Sequence, residues 1–142
     1  MNTATLKVPP HSLEAERSVL GGLMLDEQAF DQLSSVLSAD DFYRGDHRII
    51  YRCMQTMVEQ NKPLDIITIS ESLNAINELG NVGGIAYLSD LANSIPTTSN
   101  IRAYANIVAE RATVRKLISV AHDIADSGFN PQGRDSAALI DM

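Results

Sequence analysis

Residues 100–127 read NIRAYANIVAERATVRKLISVAHDIADS, a run without proline or glycine whose apolar side chains recur three and four positions apart. One continuous helix of about 28 residues follows, roughly 42 Å long at about 1.5 Å per residue. A body of about 100 residues has a radius of gyration near 13 Å, so the elements before this helix cannot cover it end to end. Ile101, Tyr104, Ala105, Val108 and Ala112 supply the stripe expected to face the body, and Val114, Leu117, Ile118, Ala121, Ile124 and Ala125 continue it. The far half therefore has to protrude, and a protruding helix this apolar requires a partner. Gly128 is the expected left-handed stop, residues 130–133 read as a tight turn, and SAALIDM begins another helix at Ser136. The pattern predicts a helical hairpin over 99–142 with its second arm cut short, as in a piece of a longer protein.

On the N-terminal side the spacing is helical as well, and no segment alternates with period two for long enough to mark a half-buried strand. The predicted fold is all-α: a flexible segment over 1–12, a compact bundle of short helices over 13–98, then the protruding hairpin. Pro9 and Pro10 keep the entry extended. Ser12 is placed to cap a first helix carrying Glu14 and Glu16 in its first turn, where carboxylates suit the helix dipole. Leu13, Val19, Leu20, Leu23 and Met24 form its apolar stripe. Gly21 and Gly22 interrupt that stripe at a cost of roughly 1 kcal/mol each relative to Ala, which a closely packed neighbouring helix would explain.

Asp26 is the expected cap of a second helix, DEQAFDQLSSVL, and SADDFYRGDH reads as a loop pinned by Phe42 and Tyr43. A third helix over 46–60 turns Ile49, Ile50, Met54, Met57 and Val58 inward beside Cys53, and Asn61, Lys62 and Pro63 end it. LDIITISESLNAI opens on β-branched residues, yet Asp65 and Thr68 are cap types and Ile69, Leu73 and Ile76 keep helical spacing. After a glycine-containing turn over 79–84, GGIAYLSDLANSI makes a short helix with Ile85, Leu88, Leu91 and Ala92 inward, ended by Pro96.

Composition narrows the chemistry. The chain has 142 residues, 44% of them hydrophobic and 20% charged, which suits one folded domain. No run approaches the roughly 20 apolar residues of a membrane helix, and MNTATLKVPP lacks the apolar core of a secretion signal; the cytoplasm is the expected home. Residues 1–100 carry six Lys/Arg against thirteen Asp/Glu, so the net charge of -7 belongs to this part of the chain. Such a surface repels phosphates. The nearest basic cluster, Arg44, Arg48 and Arg52, sits among Asp40, Asp41 and Asp46, and DNA is not expected to bind directly.

Catalytic signatures are missing. A phosphate-binding loop needs glycines leading into Gly-Lys-Ser/Thr, whereas Lys7, Lys62 and Lys116 are the only lysines and none follows a glycine. There is no G-x-S-x-G elbow. Cys53, the single cysteine, excludes a disulfide within the chain and lies on an apolar helical face, where a thiol is inert. Asp40, Asp41, Asp46 and His47 are the only cluster with metal-ligand chemistry. Two readings of it stand: a small hydrolase or metal enzyme using Asp41, Asp46 and His47, or ordinary capping with His47 hydrogen-bonded to tie loop to helix. His122 falls on the protruding helix. The expectation is no catalysis by this chain and a protein-contact role for the long helix and for Tyr87 and Leu91 before it.

Four ordered blocks carry a resemblance: KVPPHSLEAERSVLGGLML (7–25), DDFYRGDHRIIY (40–51), PLDIITISESL (63–73) and the run from VGGIAYLSDL to AHDIA (82–125). Together they resemble the N-terminal domain of the bacterial DnaB replicative helicase family, and GFNPQGR (128–134) is similar to the proteobacterial form. The resemblance implies self-association through helical hairpins into a hexameric collar, docking of primase, and a helicase loader as a further partner. It also implies a motor domain elsewhere that binds ATP and Mg²⁺, with no cofactor held by this chain. Family positions implicated in the primase contact match Tyr87, Ile118 and Ile124; Ile118 and Ile124 also read as packing against the second arm of the hairpin or a dimer partner, and Val114, Leu117 and Ala121 are the expected dimer or hairpin packing residues. Two other readings stand beside these: Tyr87 as a core tyrosine with its hydroxyl at the surface, and a free-standing all-α adaptor of the same fold.

Overall fold

A computed structural model describes residues 7–94 and 100–142. Seven α-helices are found among them, with no strand. They are α1 (Leu13–Leu25), α2 (Phe30–Leu33), α3 (Gly45–Glu59), α4 (Ile66–Ala75), α5 (Gly84–Asn93), α6 (Ile101–Phe129) and α7 (Ser136–Ile140). α1 lies at the centre, packed against α6, α5 and α3, and α4 closes the bundle against α3 and α5. The core is continuous: Val19, Leu20 and Leu23 from α1 meet Phe30, Leu33, Phe42, Ile50, Tyr51, Met54, Ile69, Leu73, Leu88 and Val108.

Local chemistry sets the helix ends. The Ser12 hydroxyl accepts from the Ala15 N–H at 3.2 Å, and Asp65 and Thr68 form a reciprocal capping box at 2.8 and 3.1 Å. α3 and α4 stop in the same way. Asn61 and Asn77 both adopt φ 59°, and the residues after them return N–H groups to Met57 and Leu73, each at 2.9 Å. Asparagine thus takes the left-handed position that glycine usually fills, because its short side chain tolerates it. The mid-stripe glycines of α1 are buried, and a Cβ on Gly22 would stand 2.8 Å from Ile101 Cδ1. The bare backbone is what lets α6 seat on α1.

Several expectations need correction. The stretch from Asp26 to Leu37 is a 3₁₀ turn (Glu27–Ala29) running into the four-residue α2, and Asp26 makes no side-chain cap. The DDFY loop contains a second 3₁₀ turn, Ala39–Asp41. Ile85, expected inward, is 53% exposed, and Ile76, counted in the helical spacing, is the C-cap after α4 and 58% exposed. Gly128 does not stop α6. It stays helical, and the helix ends at Asn130 with φ −131° and ψ 72°, because proline at 131 drives the preceding residue out of the helical region. Gln132 and Gly133 then turn with φ 53° and 83°, and Asp135 caps α7 by accepting from Ala138 N–H at 2.9 Å. Pro96, the expected end of α5, and residues 1–6 lie outside the described residues.

Candidate functional site

α6 carries two apolar stripes, and they lie on opposite sides. Ile101, Ala105 and Val108 are buried against the body and Tyr104 and Ala112 half-buried. The step from Ala112 to Val114 turns the helix by about 200° at roughly 100° per residue. Val114, Leu117, Ile118, Ala121, Ile124 and Ala125 consequently share a face roughly opposite the first stripe. This corrects the expectation of one continuous stripe. Val114 is half-buried, while Leu117, Ile118, Ala121 and Ile124 are exposed, Leu117 by 67% and Ile118 by 52%. Phe129 and Ile140 add exposed apolar side chains at the hairpin end. No helix among the described residues is long and apolar enough to cross a membrane.

Tyr87, the other expected contact residue, is half-buried on α5. Its hydroxyl is turned inward, 2.6 Å from His47 Nε2, rather than to the surface. The two rings stack at 5.9 Å between centroids and 10° between planes. His47 is fully buried, and its Nδ1 lies 2.7 Å from Glu16 Oε1. A carboxylate only accepts, so Nδ1 donates to Glu16, and Nε2 shares a hydrogen bond with the Tyr87 hydroxyl. His47 thus ties α3 to α1 and α5.

Glu16 is the residue that sequence reasoning missed. Only 1% exposed, it accepts from Tyr43 N–H at 2.7 Å and from Arg44 N–H at 3.5 Å, besides His47. A carboxylate in a first helical turn reads as dipole compensation, and its partners are 27 to 31 residues away. Arg44 also holds Asp46 through its guanidinium, whose carbon stands 5.3 Å from the Tyr87 ring centroid.

The remaining acidic residues of the DDFY region have local partners. Asp41 accepts from Ser38 N–H at 2.9 Å, Asp46 from His47 N–H at 2.8 Å, and Asp40 pairs with Arg52 at 3.0 Å. Arg48 donates to the Phe42 and Tyr43 carbonyls at 2.9 and 2.7 Å. Among the described residues no group of three or more His, Cys, Asp and Glu side chains is arranged to hold a metal ion. The three arginines are committed to the loop rather than gathered into a basic patch. A cleft of about 440 Å³ between α3 and α4 is lined by Ile49, Cys53, Met57 and Ile76, and burial pushes the Cys53 thiol above its ordinary pKa, leaving it a weak nucleophile.

The chain matches the family described as DnaB-like helicase N terminal domain over residues 8–110. It is 43% identical over 139 residues to the replicative DNA helicase DnaB of Haemophilus influenzae, covering 98% of this chain and 30% of that protein. The DnaB of Buchnera aphidicola subsp. Acyrthosiphon pisum is 52% identical over 136 residues, again across 30% of its length. The chain thus spans about 30% of these curated relatives. Among solved structures, the N-terminal domain of DnaB helicase from Mycobacterium tuberculosis superposes with a TM-score of 0.87 at 33% identity, covering 94% of each chain. A DnaB-like replicative helicase, described together with its interactions with primase, gives a TM-score of 0.70 at 28% identity over 80% of this chain and 27% of that one.

Proposed function

Because the chain belongs to the family of DnaB-like helicase N-terminal domains, we propose that it is a non-catalytic assembly and docking domain of a replicative DNA helicase. In this reading 13–98 is the body and 99–142 the hairpin, with 1–12 a leading segment whose Pro10 and His11 rest on Arg115 and Tyr43. The observation that carries this reading is the exposed apolar face of α6 at Leu117, Ile118, Ala121 and Ile124, on the side away from its own body. Exposed apolar surface of this extent is unfavourable in water and is satisfied by protein contact. The hairpin of a second copy is the occupant, Val114, Leu117 and Ala121 forming its packing ridge. Primase is the further partner, engaged through Tyr87 on α5 and, directly or through hairpin geometry, Ile118 and Ile124; a helicase loader is the third.

ATP and Mg²⁺ chemistry is assigned to a motor domain outside the region this chain covers, DNA contact likewise, and the cytoplasm is the site of action. The test is calorimetric titration with the helicase-binding domain of primase, with sedimentation of each component alone. Saturable heat from a chain that sediments as a dimer supports the proposal, and Tyr87→Ala against Ile118→Ala separates the two helices. An intact dimer that binds no primase overturns the docking role.

A further inference from the structure

The Tyr87 face and the root of the α6 arm, which carries the other surface assigned above, meet in one dipeptide. Phe42 and Arg44 are both extended, with φ −74° and −79°. Tyr43 turns toward α6 and Arg44 toward α5. The Arg115 guanidinium carbon stands 5.5 Å from the Tyr43 ring centroid, and His11 stacks on the same ring at 4.0 Å. Arg44 lies over the ring of Tyr87. The peptide joining Tyr43 to Arg44 is planar and stiff, and Glu16 holds the amide on either residue. A shift of this backbone unit therefore moves both side chains.

Arg115 is the last anchor of α6 before the arm leaves the body. It donates to the Pro10 carbonyl at 2.8 Å and to the Asp41 carbonyl at 2.6 Å. Two chain segments 31 positions apart therefore converge on one guanidinium, whose planar fork suits two fixed acceptors better than an ammonium does.

We infer that the Tyr43–Arg44 step is a coupling link, through which a contact at Tyr87 sets the direction of the α6 arm and the arm's position sets the Tyr87–His47 hydrogen bond. The inference rests on the docking role assigned to both surfaces, and its test needs no partner. Residues in separate clusters are expected to act independently unless they share a network, and a true link is reciprocal.

The experiment reads both directions in the whole chain. Fluorophores on cysteines replacing the exposed Glu59 and Asp123, with Cys53→Ala, report the body-to-arm distance, doubly labelled chain being diluted into unlabelled chain so that only distances within one molecule are read. Tyr87→Leu is expected to shift or broaden that distance as Arg115→Met does, while Arg115→Lys stays closer to the parent. In a Tyr43→Leu background, Tyr87→Leu is expected to add nothing further. In the reverse direction, Arg115→Met shifts the ¹⁵N resonances of the His47 ring, whereas Lys116→Met, one position along on the exposed surface, leaves them in place. The reverse reading stands on its own if Tyr87→Leu unfolds the body. An arm distance unchanged in folded Tyr87→Leu, or His47 resonances unchanged in Arg115→Met, overturns the link and leaves the docking role standing. Failure to bind primase with both readings positive would do the opposite.

Discussion

Gly22 lies beneath Ile101 so closely that a methyl group on it would meet the isoleucine Cδ1 at 2.8 Å and Cγ1 at 3.4 Å. Two terms oppose each other in Gly22→Ala. Alanine raises helix propensity by about 1 kcal/mol, and overpacking typically costs about 1–3 kcal/mol. With Ile101 only 4% exposed, the side chain has little room to swing away, so a net loss of about 1 kcal/mol is expected in urea unfolding. Ile101→Val removes the Cδ1 atom, and the double variant should recover part of that loss.

Glu16→Ala should be far more costly. It strips the buried acceptor from two backbone N–H groups and from His47, and unsatisfied buried donors of this kind cost about 3 kcal/mol or more in total. Glu16→Gln keeps an acceptor oxygen and should lose less. Thermal unfolding of the two variants, compared with Glu14→Ala on the exposed side of the same turn, measures the difference; equal midpoints for Glu16→Ala and Glu14→Ala would contradict it.

Ile118→Asp separates folding from assembly. The residue is 52% exposed, and surface substitutions usually change stability by no more than about 0.5 kcal/mol. Helical content should hold, as should the unfolding midpoint at a concentration where the parent chain is monomeric, while self-association measured by sedimentation weakens at least ten-fold, about 1.4 kcal/mol. A melted body would show that the arm is part of the folding unit.

Tyr51 governs the alkaline limit. Burial, with a smaller contribution from Asp41, pushes its phenol up to about 12, against an ordinary value near 10 in the unfolded chain. The neutral form is favoured by the native state, so this contribution is intact below about pH 10 and is lost as pH rises toward 12. Tyr51→Phe should flatten the fall in stability over that interval. The Tyr51 hydroxyl reaches the Leu37 carbonyl only at 3.4 Å, so little is lost at neutral pH.

Asp65 governs an acid limit at one helix end. The Thr68 N–H it accepts holds its carboxyl below the ordinary range. The cap's contribution is therefore present above the ordinary carboxylate pKa and declines as pH falls through the lower folded value. Asp65→Ala should cost about 1 kcal/mol at neutral pH, with the gap narrowing on acidification in denaturant titrations.

The parts of the fold legible in the sequence were those written in local chemistry. Ser12 and Asp65 advertise caps by residue type and spacing, Leu20 and Leu23 or Ile50, Met54 and Met57 keep helical period, and Gly21-Gly22 signals close approach before any neighbour is known. Two further signals are present in the sequence: the two-residue step at Ala112–Val114, which turns the apolar face of α6 around, and Pro131, which ends the helix in place of Gly128. Of the site, the exposed arm residues are legible because a helix of this length outruns its body. Glu16 and the inward Tyr87 hydroxyl are not, since their partners come from helices brought together only by packing, and one carboxylate in a first turn looks the same whether it faces water or a buried imidazole.

Arg115 stands about 14 residues before the end of α6, which makes the arm a lever of roughly 21 Å. A swing of about 10° at that pivot would carry Phe129 by about 4 Å, several times the sub-ångström fit that packed interfaces demand. On the link inferred above, a pivot held by two carbonyls and an aromatic ring would convert a small angular adjustment near the body into a displacement of several ångströms at the tip.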